Sequence, residues 1–229
     1  MKKHNSNKNG VILAAKAAPE TKLLSDISRA GIIATELYLS AQIMNNVKHI
    51  IKICRGFPLR YSLHAPVDDY DPQALAMLAD GIKAEAVVFH NIYWEDEWVN
   101  IIGSFENLPV KLCVENTYSL HEASKFNRRF GLGWCLDLEH LQMECCGVYE
   151  EEFIKAIGKA SYIHLTGYKF GSELWHTHLH RSKQHSRYML GLIEKAGYKG
   201  FVVSEAGCSW QNYREFRKLS DFFVKWRFE

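Results

Sequence analysis

The chain has 229 residues, 47% hydrophobic and 24% charged, a balance that builds a globular core and excludes a disordered chain. Its 28 Lys and Arg against 26 Asp and Glu leave a formal charge of +2, too weak a field to gather nucleic acid or an anionic membrane. No apolar run nears the roughly 18–20 residues of a spanning helix, so residues 1–10 read as a polar tail and 11–229 as one domain of a soluble, cytoplasmic protein without a membrane partner.

Short apolar and β-branched runs alternate with longer amphipathic stretches, the pattern of βα units around a parallel sheet. Strands are predicted over 11–15, 32–37, 59–64, 85–90, 110–115, 132–137, 162–165 and 201–205. Helix punctuation separates them. Pro19-Glu20-Thr21 opens a helix that Gly31 closes, Gly56 and Gly197 follow helix ends, and Asp71 with Pro72 supplies a cap and a first position. The last helix, about 212–226, carries Phe216, Leu219, Phe222, Phe223 and Trp226 at helical spacing, a packing face for the outside of the sheet. Eight strands and eight helices close a compact, single-domain α/β fold, a (β/α)8 TIM barrel somewhat shorter than the usual ~250 residues. The six cysteines form no CxxC pair. They are expected as reduced thiols, with Cys113 and Cys135 acting as small hydrophobes inside strands and Cys145 and Cys146 in a structural role.

The chemistry gathers at the strand ends. His64, His90, Glu115, Asp137, His164 and Glu205 fall at or near the C-terminal ends of six consecutive strands, and in a parallel barrel those ends converge on one face. A lone histidine there is commonly a hydrogen-bonded structural residue. Three buried carboxylates together are a sharper signal, because each uncompensated charge costs several kcal/mol. With no Lys or Arg read at the corresponding strand ends, the expected partner is a divalent cation, and mixed imidazole and carboxylate ligands suit zinc, manganese, iron or cobalt. His140, three residues after Asp137, reaches the same site if the strand turns directly into a helix. His176 and His178 are further candidate ligands from the segment 175–180, whereas His180 and His185 read as solvated.

At these residues the chain resembles the xylose isomerase-like TIM barrels, which include sugar isomerases and epimerases and endonuclease IV (AP endonuclease family 2). Residues 31–37 are similar to the family's second strand, His64-Ala65-Pro66 to its His-x-Pro turn, Glu115-Asn116 to its Glu-Asn strand end, and Asp137-Leu138-Glu139-His140 to its Asp-x-x-His motif; His164, His178 and Glu205 complete the order. The epimerase branch implies one divalent ion on Glu115, Asp137, His164 and Glu205, with His140 on the substrate. It also implies proton transfer by Glu115 and Glu205 on a sugar or sugar phosphate through an enediolate. Asn116, Trp94, Lys169 and Trp210 are the accompanying substrate-side residues, with Tyr93, Tyr118 and Trp175 as further aromatic walls. The endonuclease branch implies a three-zinc cluster on His64, His90, Glu115, Asp137, His140, His164, His178 and Glu205, hydrolysing a phosphodiester in abasic DNA. It is departed from at His176, where that branch has Asp, and at Thr166-Gly167-Tyr168, where it has Asn-Asp. The low net charge argues against a DNA partner, and the cluster Lys169, Arg181, Lys183 and Arg187 reads as a solvated face. The isomerase or epimerase is the favoured reading. The hydrolase, a multi-iron oxidase and a polyol sensor are the alternatives, and the superfamily's frequent dimers and tetramers make a homo-oligomer an expectation.

Overall fold

The computed structural model describes residues 10–168 and 176–229. Lys169 and Trp175, both expected at the substrate, lie outside the described residues, as do residues 1–9 of the tail. Eight parallel strands close in sequence order: β1 (Val11–Ala17), β2 (Ala34–Tyr38), β3 (Arg60–His64), β4 (Ala86–Phe89), β5 (Lys111–Glu115), β6 (Gly133–Asp137), β7 (Tyr162–Thr166) and β8 (Gly200–Glu205), with β8 returning to β1. The expected TIM barrel is therefore the fold.

Ten α-helices stand among the described residues, against the eight expected: α1 (Thr21–Arg29), α2 (Ala41–Met44), α3 (Val47–Cys54), α4 (Pro72–Ile82), α5 (Glu95–Ser104), α6 (Leu120–Phe130), α7 (Leu138–Glu144), α8 (Glu150–Ile157), α9 (Lys183–Lys195) and α10 (Tyr213–Phe228). The surplus arises because two crossovers are each broken in the middle. Asn45 and Asn46 separate α2 from α3, and α7 ends at Cys145 and Cys146, the latter at φ +52°, before α8 begins. Both cysteines are free thiols. The predicted punctuation is visible at the atomic level. Asp71 accepts from Gln73 N at 2.9 Å with Pro72 at the first helical position, and Asn212 accepts from Glu215 N at 3.2 Å to start α10. Gly31 turns the chain after α1 at φ +82°, a region open to glycine without a Cβ penalty.

The pleat sorts each strand into an outer and an inner set. Facing the barrel axis are Ala14, Ala34, Ala86, Val88, Cys113, Cys135, Tyr162, Phe201 and Val203, small side chains around two large rings. The Tyr162 hydroxyl is hydrogen-bonded to Ser62 Oγ in the same interior. Burial pushes the Cys113 thiol up to about 12, so it behaves as the small hydrophobe expected. On the outside, Phe216, Leu219, Phe222, Phe223 and Trp226 of α10 are all buried against the barrel. No helix among the described residues is long and apolar enough to cross a membrane.

The β7 to α9 connection is pinned to its neighbours. Gly167 N donates to Thr177 O at 2.6 Å, Thr177 Oγ1 donates to Gly167 O at 2.9 Å, and Gly207 N donates to His176 O at 2.8 Å. A Cβ at position 167 would stand 2.4 Å from the His178 carbonyl, so only glycine permits this approach. Below it, the buried Glu215 carboxylate accepts from His180 Nε2 at 3.0 Å, Arg181 Nε at 3.0 Å and Lys218 Nζ at 3.0 Å, while Arg181 lies 3.6 Å over the Trp210 ring.

Burial opposes the Glu215 charge, but the hydrogen bonds from Lys218 and Arg181 outweigh it and hold the carboxyl at about 2. Its folded value is therefore depressed from the ~4.3 of a free glutamate. Its stabilisation is complete at neutral pH and is lost as pH falls through the window from ~4.3 towards 2. Glu215→Gln should cost about 1–3 kcal/mol at pH 7 and flatten the acid limb of a urea-unfolding series run from pH 7 to pH 2.

Candidate metal centre

Inner-facing parity continued one layer up each strand delivers the site: Lys16 follows Ile12 and Ala14, Glu36 follows Ala34, His164 follows Tyr162 within β7, and His64, Glu115, Asp137 and Glu205 end their strands. His90 is the first residue after β4. Register sets the neighbours, with Lys16 opposite Glu36, Asp137 opposite His164, and Glu205 opposite Thr166.

Glu115 is the hub. Its Oε2 lies 3.4 Å from His64 Nε2, 3.5 Å from His90 Nε2 and 3.5 Å from His164 Nδ1, and its Oε1 lies 3.4 Å from His140 Nδ1. Asp137 caps α7 by accepting from His140 N at 2.8 Å, so the strand passes directly into the helix and His140 Nδ1 comes within 4.0 Å of Asp137 Oδ1. His164 Nε2 is 2.9 Å from Glu36 Oε2, which orients the ring and turns Nδ1 towards Glu115 and Glu205, the latter at 3.3 Å. A carboxylate behind an imidazole is the usual support of a metal-ligating histidine.

Two members of this ring were not expected. Lys16 donates to Glu205 Oε1 and lies 3.4 Å from Glu36 Oε1, which overturns the expectation that no lysine or arginine reaches the strand ends. β1 runs two residues beyond its predicted end at Ala15, and the extension carries Lys16 inward. Glu36 sat inside a predicted strand, and its alternation with Ala34 was the available signal.

The donor set fits a divalent ion. Glu115 Oε2, Asp137 Oδ2, His140 Nδ1 and His164 Nδ1 are buried without a hydrogen bond, a cost of about 1–3 kcal/mol for each such atom. Three-residue groups with ligand atoms within 4.8 Å of one another include Glu115, Asp137 and His140; His64, His90 and Glu115; Asp137, His164 and Glu205; and Glu115, Cys135 and His164. Burial, opposed by His140 and reinforced by the charges of Glu205 and Glu115, pushes the Asp137 carboxyl up to about 7, so negative charge at this position calls for a nearby cation. Burial also works against the Glu115 charge, but His164 and His64 hold its carboxyl well below the usual range. Burial lowers His90 to about 4 despite Glu115, which keeps its imidazole neutral and able to ligate.

Other expected site residues stand elsewhere. His178 is buried outside the barrel wall, where Nδ1 is 3.1 Å from Ser204 Oγ, Nε2 is 3.3 Å from Trp210 O, and the ring packs on Phe216. Ser204 alternates with inward-facing Val203 and Glu205, so His178 does not join the ring of ligands. Asn116 has both ends of its amide committed to Asp137, donating to its carbonyl at 3.0 Å and accepting from its N–H at 2.7 Å. These two bonds make it a residue that positions Asp137. Trp94 is 80% exposed at the start of α5 and lines a cavity of about 530 Å³ with Asp68, Tyr70 and Tyr93, to one side of the ring. Trp210 is stacked under Arg181. Exposed His176, at φ +51°, borders a second cavity of about 240 Å³ together with Lys16, Tyr38, Glu205, Cys208 and Gln211.

No protein-family model and no curated protein sequence matches this chain. Solved structures do. A D-allulose 3-epimerase from Methylomonas sp. superposes with a TM-score of 0.67 at 12% identity, over 95% of this chain and 98% of that one. A protein from Sinorhizobium meliloti 1021 gives 0.61 at 12% identity over 96% and 98%, and phosphoribosylanthranilate isomerase from Thermotoga maritima gives 0.54 at 10% over 95% and 98%. At such identities the likeness is one of fold.

His140→Ala should weaken Mn²⁺ or Zn²⁺ binding by about 10–100-fold in calorimetric titration. His178→Ala should leave that affinity unchanged while lowering stability by about 2–4 kcal/mol.

Proposed function

We propose that the chain is a divalent-metal-dependent isomerase or epimerase acting on a sugar, sugar phosphate or related small polyol. The observation that carries this reading is the pair of carboxylates flanking one imidazole: His164 Nδ1 lies 3.5 Å from Glu115 Oε2 and 3.3 Å from Glu205 Oε1. Moving a proton off and back onto carbon beside a carbonyl needs two such groups when it leaves and returns on different sides. Glu205 is suited to take it: burial opposes its charge, but His164 and Lys16 keep the carboxyl below its ordinary value, ionised at neutral pH. As Glu205 accepts the proton, the C–H electron pair passes into the neighbouring carbonyl and gives the enediolate. In isomerisation the same acid returns the proton to the adjacent carbon; in epimerisation the returning proton comes from the other side, by way of Glu115 only after that carboxylate has taken one from solvent, and Glu205 then gives its own up to solvent. A divalent ion held by Glu115, Asp137 and His164, with His64, His90 and His140 in reach, would supply Lewis-acid polarisation of the substrate oxygens.

The cavity of about 240 Å³ beside Glu205, bordered also by Lys16, Tyr38 and Gln211, is below the ~300–1,000 Å³ of drug-sized ligand sites and has room for a single small substrate. A keto-sugar epimerase among the fold neighbours supports the same class. A second reading, an endonuclease IV-like three-zinc phosphodiester hydrolase, is favoured by the number of imidazoles around Glu115, more than one ion needs. The ion count separates the two, about one per chain for the isomerase and about three for the hydrolase.

The manganese-loaded protein in D₂O should introduce deuterium beside the carbonyl of at least one member of a panel of ketoses and ketose phosphates, read by NMR. Glu205→Gln should slow that exchange by about 10²–10⁴-fold with an unchanged circular dichroism spectrum. Cleavage of an abasic-site oligonucleotide with no exchange on any sugar would replace this reading with the second.

A further inference from the structure

We propose that Lys16 is a tethered cation: its ammonium fills a cation position bounded by Glu36, His64 and Glu205, and so holds Glu205 out of the coordination of a divalent ion carried by Glu115 and Asp137. The inference deepens the metal-dependent reading above and rests on it.

Glu36, His64 and Glu205 are all buried and offer ligand atoms within 4.8 Å of one another, the spacing of an ion site. The lysine ammonium comes to this place. It bonds Glu205 Oε1 and lies 3.4 Å from Glu36 Oε1, an oxygen that is buried and accepts no hydrogen bond. Backbone geometry delivers it there, since β1 lies between β2 and β8 with Lys16 paired to Glu36 and Ala15 paired to Ser204, the residue before Glu205. An ammonium in that position excludes a metal ion twice over, by volume and by like-charge repulsion in a poorly solvated site. Across the mouth the situation is reversed. The ion-pair partners of Glu115 and Asp137 among the described residues are all histidines, with no lysine or arginine within 4.0 Å. The ring thus has one half neutralised by a side chain of the protein and one half, Glu115, Asp137 and His140, that recruits its cation from solution. Glu205 is kept as a proton-transfer group because its charge is already matched.

The test counts ions. Full-length protein is loaded with Mn²⁺ or Zn²⁺, freed of excess by gel filtration and measured by elemental analysis for the wild type, Lys16→Met and Lys16→Arg. Lys16→Met should carry one more ion per chain than the wild type, and Lys16→Arg the wild-type number. A folded Lys16→Met with an unchanged count overturns the proposal. If Lys16→Met does not fold, Glu205→Gln decides: ion affinity within tenfold of wild type in calorimetric titration supports the tethered cation, and a larger loss shows Glu205 to be a ligand and overturns it. Wild type and Lys16→Met both free of metal would remove the metal-dependent reading together with this one, whereas a metal-loaded wild type with no gain in Lys16→Met removes this one alone.

Discussion

Four carboxylates crowd the open end of this barrel, and the arrangement of everything around them follows from containing their mutual repulsion. Glu36, Glu115, Asp137 and Glu205 are each buried, where like charges interact far more strongly than in water. The chain answers with one lysine and four histidines placed on neighbouring strands or immediately after them. The answer is incomplete, because buried oxygens and ring nitrogens on Glu115, Asp137, His140 and His164 still lack hydrogen bonds. Orphaned buried atoms also occur elsewhere, at Tyr70, Trp98 and Trp134 for example, but at the mouth they fall on acids and imidazoles within 4.0 Å of one another, the chemistry of a cation site.

The barrel makes this possible because it separates support from chemistry. One layer below the acids the interior is alanine, valine, cysteine, tyrosine and phenylalanine, which holds the strands together and leaves the upper layer free to be polar. Supporting contacts come from the outward-facing side of the same strand ends: Asn116 ties the end of β5 to the backbone of Asp137, and His178 ties the β7 connection to β8 and α10. Both residues lie next to the chemistry in sequence and act on the frame that carries it.

That distinction explains what was legible in the sequence. Strand ends with an acid or imidazole after an apolar run, such as Val114-Glu115 and Leu136-Asp137, announce themselves because polarity changes abruptly at a boundary. The barrel was equally readable, since its period of strand and helix is repeated eight times. Lys16 lies beyond the end at Ala15 that the residue pattern predicts for β1, and Glu36 lies within its strand instead of at the end, although pleat parity with Ala14 and Ala34 holds the information for both. His178 and Asn116 went the other way: their residue types suited the site, but whether a side chain faces the axis or the helices depends on a register that spacing along the chain does not fix. The extra helices depended on breaks at Asn45-Asn46 and Cys145-Cys146 that carry no strong punctuation.

The pinch between Gly167 and Thr177 bears on how such a protein can change over time. Its two strands of backbone are fastened to each other and, through His176 and Gly207, to the segment after β8. Side chains at His176 and Thr177 can be exchanged without breaking the two backbone bonds, which need only N–H and C=O groups. Position 167 itself has no such latitude, and a family of descendants would be expected to diversify around an immovable glycine.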